Sequence, residues 1–170
     1  MDTKKIIKSQ YRAALAILGD AIEKCPDTLW AEQGVTQPVW HIAYHALYFT
    51  HLYLQVRGED FVPWAKHRNE YQFFESVPWP PYRAVKIGEP YTKAELLEYL
   101  ALCQKEVEEK VSSMDLNAAS GFSWLTFSKM ELQFYNIRHL QHHVGQLDDR
   151  LRINAGIGIS WIGAKVDEDD

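Results

Sequence analysis

The chain is predicted to be all-α, a four-helix bundle, from three observations. Apolar residues recur three and four apart in four separate blocks, two of those blocks open with a capping-box pattern, and the resulting stripes have the near-heptad spacing that lets long helices pack lengthwise. One domain over residues 1–170 suffices, because a chain of 170 residues can bury a core large enough to need no disulfide framework or structural metal.

The first block runs from Thr3 to Lys24, with Ile7, Tyr11, Ala14, Leu18, Ala21 and Cys25 on one stripe, and Pro26 stops it. The second starts near Pro38, tolerated in a first helical turn, and is expected to reach Arg57, with Gly58 as its cap. Its stripe is Ile42, His45, Phe49, Leu52 and Val56. The third opens on Thr92-Lys93-Ala94-Glu95, in which the threonine hydroxyl and the glutamate carboxylate cap each other's backbone N–H, and carries Leu96, Leu100, Cys103, Val107 and Val111. The fourth opens on Ser128-Lys129-Met130-Glu131 and runs to about Asn154 through Ile137, Leu140, Val144, Leu147 and Leu151.

Three stretches stand outside the helical pattern. Residues 58–91 form an insertion between helices two and three, rich in aromatics (Phe61, Trp64, Tyr71, Phe73, Phe74, Trp79, Tyr82) and proline. A connection of that length is a crossover covering one end of the bundle, the wall of a pocket, or both, and its aromatic content argues against disorder. The segment Ile157–Gly163 is expected to be extended and packed back on the helices. Residues 164–170 end in an acidic tail, Asp167-Glu168-Asp169-Asp170, read as disordered.

Charge and cysteine content narrow the function. With 18 Lys plus Arg against 23 Asp plus Glu there is no basic surface for nucleic acid or an anionic membrane. No apolar run approaches the ~20 residues needed to cross a bilayer. The start, Met1 to Ile7, lacks the apolar region of a secretory signal. Cys25 and Cys103 form no C-x-x-C and are expected to be ordinary buried thiols. A cytoplasmic protein is the expectation.

The seven histidines are concentrated in helices two and four. His45 is the polar member of the helix-two stripe, so its imidazole faces the core, where both ring nitrogens need partners. His139 and His143 are four apart, so their rings leave one face of helix four and reach a common point. A core histidine bonded to a carbonyl or carboxylate is the simpler role for each taken singly; the three together make a metal site the better account. His41 flanks the helix-two stripe and is an alternative or supporting ligand, His142 fits the pair less well, and His51 and His67 are read as exposed and inert. Three neutral imidazoles suit zinc or another late divalent ion and leave a position for water or substrate. No H-E-x-x-H, G-x-S-x-G, phosphate loop or paired catalytic carboxylates accompany them.

Two runs carry a family resemblance. Pro38-Val39-Trp40-His41-Ile42-Ala43-Tyr44-His45-Ala46-Leu47-Tyr48 resembles the helix-two motif of the DinB-like (YfiT-like) metal-binding bundles, with a tryptophan five positions before the first ligand. Arg138-His139-Leu140-Gln141-His142-His143-Val144-Gly145-Gln146-Leu147 resembles their helix-four motif, H-x-x-x-H followed by x-Gly-Gln. With the four-block layout the likeness spans nearly the whole chain, the 58–91 insertion being an elaboration. By motif position the resemblance implies His45, His139 and His143 as ligands to zinc or nickel, a homodimer, and in some members a transferase or isomerase using a low-molecular-weight thiol, in others a hydrolase. Two functions are therefore expected in order. The first is a metal-dependent enzyme acting on a small molecule through an activated thiol or water, without nucleic acid or membrane. The second is a non-catalytic metal- or small-ligand-binding or stress-related interaction domain.

Overall fold

A computed structural model describes residues 2–164. The protein is all-α: α1 spans Thr3–Lys24, the single turn α2 Asp27–Trp30, α3 Val39–Tyr53, α4 Lys93–Ser113 and α5 Lys129–Ala155. Outside the helices the described residues hold a 3-10 turn at Gly58–Asp60 and two isolated β-bridges, Ser76 with Ala84 and Ala119 with Ser128. The acidic tail from Lys165 onward lies outside the described residues.

The helix starts follow local chemistry. Asp2 caps α1 through Lys4 N–H, Thr92 and Glu95 form the reciprocal capping box of α4, and Ser128 accepts from Glu131 N–H at α5. Helix α5 ends on Gly156, whose φ of 68° is the left-handed conformation that glycine adopts without steric cost. Helices α1 and α3 each pack against both α4 and α5. The stripes meet in one core that includes Tyr11, Leu18, Leu47, Tyr99, Val107, Leu140 and Leu147.

Helix α3 departs from expectation at its end and around its girth. It stops at Tyr53, short of Arg57, and Val56 is 67% exposed rather than part of the buried stripe. The cause is tertiary. The buried Lys129 ammonium donates to Gln55 O at 3.0 Å, to Val56 O at 2.9 Å and to Ser120 O, taking carbonyls that would otherwise continue the helical ladder. Gly121 lies against Val56 O, where an added Cβ would come within 2.0 Å, and its φ is +85°. Nearer its start, Val39 to Tyr44 are all buried, so α3 is covered on every side rather than along one stripe.

The insertion provides that cover. Trp64, Tyr71 and Tyr91 join the core, with Trp64 stacked on Tyr99 at 4.7 Å and 5°. Three hydrogen bonds from two successive turns of α3 pin it: His41 Nε2 to Tyr71 O at 2.7 Å, Tyr44 hydroxyl with His67 Nδ1 at 2.6 Å, and His45 Nδ1 to Gln72 O at 2.7 Å. The segment after α5 carries no helix or strand through residue 164, and it returns to the helices through Ile159, buried and bonded by its N–H to Asp148 Oδ1 at 3.0 Å.

Candidate metal centre

His45 of α3 and His139 and His143 of α5 come together, with one ligand atom of each within 4.8 Å of the other two. His139 Nε2 is the hub, 3.1 Å from His45 Nε2 and 3.1 Å from His143 Nε2. The i, i+4 spacing on α5 projects two rings from one face, and the packing of α3 against α5 supplies the third.

The far side of each ring decides what meets in the middle. His45 Nδ1 is 2.7 Å from Gln72 O, and a carbonyl only accepts, so that nitrogen carries the proton and Nε2 holds a lone pair. His143 Nδ1 likewise donates to Gln146 Oε1 at 2.8 Å, leaving its Nε2 bare. The neutral His139 ring has one proton. Placed on Nε2, it satisfies one neighbour and leaves the other lone pair unpaired; placed on Nδ1, it leaves three lone pairs facing each other. Nδ1 of His139 is itself buried without a protein partner. In either arrangement at least one lone pair in the middle lacks a donor. A proton fits poorly: burial, then the neighbouring imidazoles His143 and His139, push His45 down to about 2, and burial, His143 and His142 push His139 down to about 4. The two 3.1 Å spacings at His139 match the about 2.9–3.4 Å that separates donors at 90° to 109° on a divalent ion with metal–nitrogen bonds of about 2.0–2.1 Å.

The remaining histidines are placed elsewhere. His41 is buried, hydrogen-bonded to Tyr71 O and stacked on Trp40 at 5.0 Å, so its Nε2 is committed to the insertion and not to the triad. His142 is exposed, its ring edge-on to His143 at 5.0 Å. His51 and His67 are not the exposed, inert residues expected. His51 is 5% exposed with Nδ1 3.2 Å from the Tyr99 hydroxyl, and half-buried His67 holds Tyr44. His51 packs against Tyr99 of α4 and Phe61 of the insertion, and His67 lies in the insertion and reaches back to α3, long-range contacts that a helical stripe does not register. Burial pushes the Cys25 thiol up to about 11 and Cys103 upward as well, so neither is a ready thiolate at neutral pH.

Two partners of the triad went unassigned in the sequence. Gln146 carries a signal, since it lies three residues after His143 on the same helix face and within the quoted motif. The Gln72 carbonyl carries none, because any residue supplies a backbone oxygen. Phe74 stacks on His45 at 4.1 Å and 23°, so the insertion forms one wall of the centre as well as anchoring it.

Beside the triad lies a cavity of about 790 Å³. No triad histidine lines it; the two are joined by Phe49, whose ring is 4.8 Å from His45 and 5.5 Å from His139, and by Gln72, whose carbonyl holds His45. The long connection is thus both a cover for α3 and a pocket wall. Comparison with protein-family models, with curated proteins and with solved structures finds no match for this chain. Fold and site therefore define a class, an all-α protein with a three-histidine cluster able to hold a metal ion. No helix of the described residues is long and apolar enough to cross a membrane.

Proposed function

We infer that this protein is a divalent-metal-dependent enzyme built on a four-helix bundle of the DinB-like kind, with zinc or nickel held by His45, His139 and His143. The observation that carries it is the commitment of both outer Nδ1 protons to Gln72 O and Gln146 Oε1, which turns two Nε2 lone pairs onto His139 Nε2. Three protein ligands suit a centre with a position left over, where the ion lowers the pKa of a water or thiol that joins it. The ionisable side chains of the cavity lining are Tyr48 and Tyr53, and burial raises both above the ordinary phenol value, so neither is a ready base at neutral pH. His45 and His143 stay neutral and oriented, Phe74 and Phe49 pack against the rings, and the cavity admits the substrate. Reaction types that fit are transfer of a small thiol to an electrophile and hydrolysis.

The test is metal content of protein purified without an affinity tag. Wild type is expected to hold about one equivalent of zinc or nickel and His143→Ala almost none; equal metal in both overturns the assignment. Turnover of an electrophile with added small thiols, lost on chelation and restored by the ion, supports the enzyme. Metal binding without turnover across a broad electrophile and ester panel supports the non-catalytic ligand-binding domain.

A further inference from the structure

We propose that a second cavity, between α3, α4 and the insertion, binds a small uncharged molecule through an alcohol group that accepts from His51 Nε2–H and donates to Glu106 Oε2. The site shares no lining residue with the histidine triad, so it goes beyond the metal-centre reading without resting on it.

The proton on His51 is placed by its neighbour. Tyr99 is fully buried, and its hydroxyl lies 3.2 Å from His51 Nδ1, its one hydrogen-bond partner among the described residues. A buried hydroxyl needs an acceptor for its proton, so Tyr99 donates to Nδ1 and the neutral ring carries its own proton on Nε2. His51 is 5% exposed and lines the cavity, yet Nε2 has no hydrogen-bond partner among the described residues; Glu106 Oε2 faces it from 3.9 Å, beyond hydrogen-bond reach. The side-chain polar atoms sealed in the interior without a partner are Thr50 Oγ1, Gln72 Oε1, Asn136 Oδ1 and His139 Nδ1. His51 Nε2 is not among them, so it keeps surface of its own, open to the cavity that the ring lines.

The gap selects the group that fills it. Nε2–H only donates and the Glu106 carboxylate, held by Gln55 Nε2 at 3.1 Å, only accepts. An alcohol oxygen about 2.8 Å from each atom spans the gap, accepting from one and donating to the other. An ammonium would set a donor against Nε2–H, and a carboxylate would set an acceptor against Glu106. Nor does the lining offer a free counter-ion: Asp60 pairs with Arg57, Glu98 with Lys66, and Glu106 has Lys110 at 3.8 Å. Val62, Pro63, Trp64 and Leu102 add apolar walls to a space of about 510 Å³, within the range of small-molecule sites, so the rest of the molecule is apolar.

NMR titration of the full chain with benzyl alcohol, benzyl methyl ether, benzylamine and benzoate tests this, following the imidazole signals of His51 with and without a metal chelator. In wild type the alcohol is expected to move those signals and to bind about tenfold more tightly than the ether, more tightly than either ion, and equally with chelator present. His51→Phe and Glu106→Ala should each bring the alcohol down to the level of the ether. His51→Phe strands the buried Tyr99 hydroxyl, so if it fails to fold, Glu106→Ala and the wild-type comparison decide. Equal binding of alcohol and ether to wild type, as when water alone fills the gap, overturns the proposal. So does tightest binding of the amine or the carboxylate, failure of all four probes to bind, or alcohol binding that the chelator abolishes, which puts the probe at the triad instead.

Discussion

His45 and His139 differ in what their far nitrogens do, and the difference predicts different costs of removal. His45 donates to Gln72 O and stacks on Phe74, so it belongs to the histidine triad and to the anchorage of the insertion at once. His45→Ala leaves that carbonyl without its donor and should destabilise the chelated protein by about 1–3 kcal/mol. His139 Nδ1 has no protein partner, and its Nε2 meets two lone pairs. His139→Ala should therefore cost the chelated protein less than His45→Ala, while both lose metal; urea unfolding with chelator present compares them, and the reverse order would contradict the tautomers assigned. Gln146 is exposed and acts through His143 Nδ1. Gln146→Ala should leave the melting of the chelated protein unchanged and weaken zinc binding about 10- to 100-fold, read by competition with a chelator of known affinity.

At the scale of elements, the end of α3 is set by the connection between α4 and α5. Lys129 collects the carbonyls of Gln55 and Val56, and Gly58 N–H donates to Gly121 O at 3.1 Å, so the two segments close over one another. Nearby, Gln133 Nε2 donates to Tyr53 O at 3.3 Å and Asn136 Nδ2 to Thr50 O at 3.1 Å. Polar side chains of α5 thus take carbonyls left over at the end of α3. Gly121 admits no side chain, both because its φ is +85° and because a Cβ would meet the Val56 carbonyl. Gly121→Ala should destabilise by more than about 3 kcal/mol, since strain and collision add. Thermal melting checks this, and a variant as stable as wild type would show that the connection can move away from α3 without loss.

For the whole molecule, the buried imidazoles make stability depend on pH in one direction. His41, His45, His51, His67, His139 and His143 are all shifted downward, burial being the largest cause in each. Below the ordinary histidine value of about 6.5 the unfolded chain takes up protons that the folded chain refuses. The stability they contribute is complete above that pH and is lost as pH falls toward the folded values, about 4 for His139 and about 2 for His45. Between pH 6.5 and 5, before most carboxylates titrate, the chelated protein should lose more than the about 1.4 kcal/mol per pH unit that one such group gives. Urea midpoints at pH 7.5 and 5.5 measure it, and equal midpoints would mean that these rings are open to solvent.

Local signals on single residues set much of this fold. The reach of α1, the capping box of α4, the serine cap of α5 and the stripes of α1, α4 and α5 follow from spacing and caps, because those interactions lie within one or two turns of chain. The i, i+4 pair His139 and His143 was legible for the same reason, and so was the inward lean of His45. What only the tertiary structure decided involves groups distant in sequence. Lys129 and Gly121 shorten α3, the insertion holds His41, α4 and Phe61 pack on His51, and the Gln72 carbonyl fixes the His45 tautomer. Neither an ammonium more than seventy residues away nor a backbone oxygen leaves a trace in local periodicity, so that part of the centre appears only once the chain has packed.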